Sequence, residues 1–195
     1  MRARFLLSVA TVVLAAGLVG AQNAGPDTNR RDQRFATEAA TRDRIFGPDR
    51  IWLDSSVVVD SLARALLRDE IGLDEPDSVV TLHWTAGPDG RPAGCYRVAH
   101  EVGKYLPFDF LVALDEHLAV REVVVLTYRE ARGGQVQRAR FTNQFRGKTR
   151  ESPLSLNRDI VGISGATLSA HAVSRGVKKT LWWAARMFSA EGEGR

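Results

Sequence analysis

The chain is poor in the residues that staple a fold or give it a strong charge. One cysteine, Cys95, stands among 195 residues. No internal disulfide can form, so stability outside a reducing compartment has to come from packing. Cys95 lies in a strand-like run, where a buried thiol is a simpler reading than a redox centre or metal ligand. Charge is nearly balanced, with 27 Lys and Arg against 23 Asp and Glu. A small, scattered surplus does not make the basic stripe of a nucleic-acid binder. Internal repeats and low-complexity blocks are absent. Two catalytic signatures are also missing from the most motif-like stretch, Asp159 to Leu181. No lysine precedes its Ser or Thr as a phosphate-cradling P-loop requires. Gly162-Ile163-Ser164-Gly165-Ala166 breaks the G-x-S-x-G nucleophile elbow at its last position.

What is present is an ordinary globular composition, 44% hydrophobic and 26% charged, enough for one domain and a targeting segment. Arg2 and Arg4 precede an uncharged run from Phe5 to Ala21, and Val19-Gly20-Ala21 offers small residues for cleavage before Gln22. Residues 1–21 therefore read as a signal peptide. The uncharged run continues to Pro26, so an uncleaved membrane anchor is the alternative. Either reading places the remainder outside the cytoplasm. Removing Arg2 and Arg4 leaves 25 basic against 23 acidic residues. Residues 22–50, rich in Arg, Asp, Asn, Gly and Pro, read as a linker with a short helix around Arg34 to Arg44.

Residues 51–190 read as the folded domain. The spacing of Val57, Val58, Leu62, Ala65, Leu66 and Leu67 predicts a helix over Ser56 to Ile71, stopped by Gly72. Strands are predicted over Val79 to Trp84, Cys95 to Val102, Phe108 to Leu114 and Leu118 to Tyr128, the last two forming a hairpin through Asp115-Glu116-His117. Neighbouring strands of this kind imply an α+β fold on an antiparallel sheet rather than βαβ winding. A helical stretch follows over Val136 to Phe145, with Phe141 and Phe145 on one side. The last helix presents Val173, Val177, Leu181, Ala184 and Phe188 on one face and Arg175, Lys178, Lys179 and Arg186 on another. Trp182 and Trp183 beside those charges read as helix-core packing, with a membrane or partner contact as the alternative.

The turn Ser164-Gly165-Ala166-Thr167 opens this last helix. The first turn of a helix offers unpaired N–H groups and partial positive charge, which suits a phosphate, and glycine allows close approach. The plainer reading is a Ser or Thr cap with glycines serving the turn. A hydrolytic site using His171 as base for Ser164 or Thr167 is a distant third, because His171 falls on the same helix.

The stretch "ISGATLS" resembles the S-G-A-T-x-T/S signature of the FMN-binding domain family, which includes the covalently flavinylated subunits of the Na+-translocating quinone reductase and of the related Rnf electron-transport complex. The likeness extends over about residues 93–185. It takes in "KYLPFDFLVALDEHLAVREVVVLTYREARGGQV", "RFTNQFRGK" and "DIVGISGATLSAHAV". The resemblance implies FMN attached to Thr167 by a phosphoester bond, installed by a flavin transferase that uses FAD. Ser164, Gly165 and Ala166 would form the phosphate turn, and Ser169 takes the family's second hydroxyl position. Glu130, Gly133 and Gly134 match the strand tip near the flavin, and Tyr128, Leu168, Phe141 and Phe145 are candidates for an apolar slot around the ring. One position departs from the family pattern: Val161 stands where an Asp six residues before the threonine is usual, and Asp159 is the nearest acid. The implied function is an extracytoplasmic, periplasmic flavoprotein that relays electrons to or from a membrane redox protein or quinone system, rather than a self-contained enzyme. A non-redox module, or one holding FMN or another phosphate-bearing ligand without a covalent bond, is the alternative.

Overall fold

The central hairpin is built by side chains that alternate across a pleat. In the computed structural model, which describes residues 32–188, β5 (Pro107–Leu114) and β6 (Val120–Tyr128) pair antiparallel, with Leu111 opposite Val124 and Val112 opposite Val123. The Asp115 carboxylate accepts from the N–H groups of His117 and Ala119, both at 2.9 Å, and closes the turn. Leu118, expected in the strand, adopts φ 58° within that turn, so β6 begins two residues later. Four more strands complete the sheet: β1 (Gln33–Arg34), β2 (Leu53–Val58), β3 (Val79–Ala86) and β4 (Pro92–Val102). Among the described residues, all pairings within this sheet are antiparallel, in the order β1-β6-β5-β4-β3-β2. The α+β expectation is met.

Three expectations are corrected by the fold. Ser56 to Val58, expected in a helix, belong to β2 because Val57 and Val58 lie opposite Val80 and Val79. The helix α2 (Ser61–Ile71) starts after them, capped by the Asp60 carboxylate on the Ala63 N–H at 2.8 Å. Within the stretch expected as a linker, Gln33 pairs with Tyr128, and α1 (Glu38–Phe46) buries Ile45 and Phe46 against the sheet. The helical stretch near Phe141 is broken into 3-10 turns at Gly134–Gln137 and Asn143–Phe145 around a short α3 (Ala139–Thr142). The signal-peptide reading concerns residues outside those described.

The final helix, α4 (Thr167–Phe188), lies across the other face of the sheet. Val173, Val177, Leu181 and Ala184 are buried with Phe108, Phe110, Val112 and Leu114, as their spacing implies. Each of the Val, Leu and Phe side chains contributes about 1.5–3 kcal/mol by leaving water. Trp182 and Trp183 are buried too, their indole N–H groups donating to Glu70 at 2.9 Å and Glu75 at 3.2 Å. Lys179, expected on a solvated edge, is instead buried between Glu101 at 2.6 Å and Glu75 at 3.5 Å. Arg97 on β4 joins this cluster, 2.9 Å from Glu75 and 3.1 Å from Asp77. Burial of these charges is tolerable because each faces an opposite one. Cys95 is buried beneath α4, and burial together with the nearby Asp115 pushes its thiol pKa up to about 12, so it stays protonated.

Candidate functional site

The turn before α4 is shaped by Gly165, whose φ of +77° few residues with a side chain adopt. The Ala166 N–H donates to the Ile163 carbonyl at 3.0 Å and closes the turn. The Ala170 N–H then reaches the Ala166 carbonyl at 2.9 Å, the first bond of the helix. Among the described residues, the N–H groups of Thr167, Leu168 and Ser169 meet no acceptor. Ser164 and Thr167 are exposed, so both hydroxyls face solvent beside three open donors. Ala166 is buried beneath them.

Ser169 and Tyr128 are spent on one another. The Tyr128 hydroxyl donates to the Arg132 carbonyl at 2.8 Å, which uses its only proton. The Ser169 hydroxyl therefore donates to the Tyr128 oxygen, 2.7 Å away. Both side chains are buried. Burial raises the Tyr128 pKa; the bond from Ser169 opposes the rise, and Glu130 adds to it. Gly133 sits tightly over this pair at φ +94°, where an added Cβ would lie 2.3 Å from the Tyr128 hydroxyl and 2.6 Å from Ser169 Oγ. The tip of β6 and the first turn of α4 are thus fastened together.

Glu130 secures a third segment. Its Oε1 accepts from the backbone N–H groups of Lys104 at 2.8 Å, Tyr105 at 2.7 Å and Leu106 at 2.9 Å. Burial would raise its pKa, but those three donors and the Lys104 charge outweigh it and hold the carboxyl below its ordinary range. The turn between β4 and β5 is thereby seated beside α4: a Cβ placed on Gly103 would lie 3.4 Å from Ser169 Oγ. Sequence reasoning did not single out this turn. The run Gly103-Lys104-Tyr105-Leu106-Pro107 signals a turn, but not that a distant carboxylate binds it.

The remaining expected residues divide between surface and core. Gly134 packs near the Tyr128 ring. A cleft of about 240 Å³ opens beside the tip, lined by Glu130, Arg132, Gly133, Gly134, Gln135 and Arg138 among others. Leu168 is exposed next to Thr167, whereas Phe141 and Phe145 form an edge-on pair, centroids 5.4 Å apart, inside the core. His171 is exposed. Asp159 accepts from the Ser155 N–H at 2.8 Å, the Leu154 N–H at 3.2 Å and Lys148 Nζ at 3.0 Å. Burial opposes them, yet these partners hold its pKa below the usual carboxylate range. It organises the loop before the turn. Val161 points to solvent, with its backbone N–H and carbonyl both held by the Gln144 side chain at 2.7 and 3.2 Å.

Taken together, these features define an α+β binding domain whose last helix opens on an anion-suited turn, braced by a strand tip and a neighbouring hairpin turn. Residues 103–181 match the family model described as an FMN-binding domain. This match bears out, over those residues, the resemblance carried by the motifs. The chain is also similar to the crystal structure of NqrC from Shewanella oneidensis, at 15% identity and TM-score 0.42, covering 56% of this chain and 58% of that one. The structure of a Na+-translocating NADH-quinone reductase component, likewise NqrC, from Parabacteroides distasonis is similar at 16% identity and TM-score 0.49, covering 75% of this chain and 82% of that one. The chain thus spans little more than half of the first of these structures. No curated protein matches it.

Proposed function

We propose that the protein is an extracytoplasmic electron-relay flavoprotein with FMN joined to Thr167 by a phosphoester bond. The observation that carries this reading is the set of three open N–H groups and two exposed hydroxyls at the head of α4, inside a segment matching the FMN-binding domain family. These residues fit a phosphate by donor chemistry: the donors converge at the positive end of a 22-residue helix, and Gly165 leaves the approach open. When bound, FMN supplies reversible uptake and release of electrons.

The chain's own residues have separable parts in this reading. Thr167 Oγ is the nucleophile of attachment, forming an O–P bond to the FMN phosphorus of FAD. The pyrophosphate bond breaks, AMP leaves, and the threonine proton passes to a base of the transferase or to water. The N–H groups of Thr167, Leu168 and Ser169, with the Ser164 hydroxyl, hold the phosphate oxygens. Ser169 and Tyr128 act by position, because their hydroxyls already bond each other. Glu130 likewise acts by fixing the Lys104–Leu106 turn. Gly133 lets the tip approach that closely, and Gly134 and the adjacent cleft offer room for the ring.

The basic leader and apolar run of residues 1–21 support export, and a membrane redox protein or quinone system is the partner class this implies. Among the described residues, no helix is long and apolar enough to cross a membrane. A second reading, FMN held without a covalent bond, is favoured by Val161 at the place of the family's usual Asp. Co-expression with an FAD-dependent flavin transferase separates the two. The proposal expects a yellow colour that survives denaturation and acid precipitation and is lost in Thr167→Val. Colour released on denaturation selects the second reading, and a colourless folded protein refutes both.

A further inference from the structure

The helix that opens on the turn contains no acidic residue along its 22 positions. Its outward stripe comprises Thr167, Leu168, His171, Arg175 and Lys178, positions that fall on one side of a 3.6-residue repeat. Leu168 is 51% exposed. The β4–β5 turn lies alongside, because Arg175 Nη2 donates to the Val102 carbonyl at 3.1 Å. That turn adds Tyr105, 74% exposed, with Lys104 Nζ 4.8 Å from the Tyr105 ring centre. The acids nearest this face are already engaged: Glu101 is buried against Lys179 and Arg175, and Glu130 is spent on three backbone N–H groups. Among the described residues, Lys104 and Lys178 form no salt bridge. The face is therefore apolar at Leu168 and Tyr105 and basic around them, and it borders Thr167.

We propose that this face docks an acidic patch on a protein redox partner, with Leu168 and Tyr105 at the contact centre and Lys104, Arg175 and Lys178 at its rim. The proposal rests on the function above and names its partner by charge and shape. A basic rim steers an acidic protein and orients it, while the small apolar centre permits a short-lived complex. A protein fits better than an anionic bilayer. Surface-bound helices carry several exposed aromatics along a broad basic face. Among the described residues, Tyr105 is the single exposed Phe, Tyr or Trp on this face, and Trp182 and Trp183 are buried.

The test uses rubredoxin, a small acidic redox protein, as probe, with cytochrome c as a basic control and phosphatidylglycerol vesicles as the lipid alternative. Carbodiimide cross-linking at low ionic strength reports which lysines meet carboxylates, with or without flavin. The expected result is cross-links at Lys104 and Lys178, and binding weakened about tenfold or more by Lys104→Glu with Lys178→Glu. Tyr105→Ser should weaken binding without changing its salt dependence. Rubredoxin that fails to bind, that binds the double variant equally well, or that cross-links elsewhere overturns the proposal. Vesicle binding without rubredoxin binding overturns it in favour of a lipid surface. Thr167→Val runs in parallel: docking retained in that variant while wild-type attachment fails sinks the flavin reading alone. Docking lost while attachment holds sinks this proposal alone.

Discussion

Replacing Gly133 with alanine tests the brace between the β6 tip and α4. The backbone there has φ +94°, and holding alanine in such a conformation costs about 1–2 kcal/mol. The new Cβ would also stand 2.3 Å from the Tyr128 hydroxyl and 2.6 Å from Ser169 Oγ, both buried and unable to swing into solvent. Relieving that overlap costs about 1–3 kcal/mol and parts a buried hydrogen bond that contributes about 1 kcal/mol. The expected loss is about 3–6 kcal/mol, a fall in Tm of roughly 10–20 °C for a domain of this size. Gly90→Ala is the control: φ is +77° there, but nothing lies within 4 Å of the added Cβ, so only strain of about 1–2 kcal/mol remains. Urea unfolding of both variants, at unchanged m-value, gives the comparison. Shortening Ser169 to alanine in the Gly133→Ala background should recover part of the loss, since it removes one of the two clashes. If Gly133→Ala costs no more than Gly90→Ala, the tip is not seated on the Tyr128–Ser169 pair and the reasoning fails.

Three further outcomes follow from the geometry. Lys179→Met should lower stability by about 3–5 kcal/mol in urea unfolding, because Glu101 and Glu75 lose a buried counter-charge; a loss under about 1 kcal/mol would show that Arg97 and Arg175 suffice. Val161→Asp should raise the fraction of chains that acquire covalent flavin beside a transferase, read by intact mass; an unchanged fraction would mean that Val161 does not limit modification. The His100 pKa is raised, chiefly by its 2.6 Å bond to Asp109 and against the opposing effect of burial. Its contribution to stability is complete below the ordinary histidine value of about 6.5 and fades as pH rises through the raised one. Asp109→Asn should therefore move the His100 titration, followed by NMR, back toward its ordinary value; an unmoved titration would contradict the assignment.

Where side chains repeat locally, the sequence was a good guide. Phe108, Phe110, Val112 and Leu114 turn one face of β5 toward α4, as their alternation implies. The stripe from Val173 to Ala184 likewise faces the sheet, and the turn before α4 stands where its glycines and hydroxyls suggest. What was not legible depends on partners far along the chain. Val57 and Val58 suit a helix as well as a strand, and only pairing with Val80 and Val79 decides between them. Lys179 falls in a basic stretch, so its burial is invisible without Glu75 and Glu101. At the site, Glu130 and Ser169 looked like groups for a ligand. They are committed to backbone N–H groups and to Tyr128, interactions that no local spacing encodes.

The central claim is that the hydroxyl at position 167 takes up the phosphate of FMN. Peptide mapping by mass spectrometry, on protein made with an active flavin transferase, tests it most directly. The account predicts a flavin-bearing peptide containing Thr167 and its absence in Thr167→Val. A bare Thr167 peptide from wild-type protein, or a flavin found on any other residue, would contradict it.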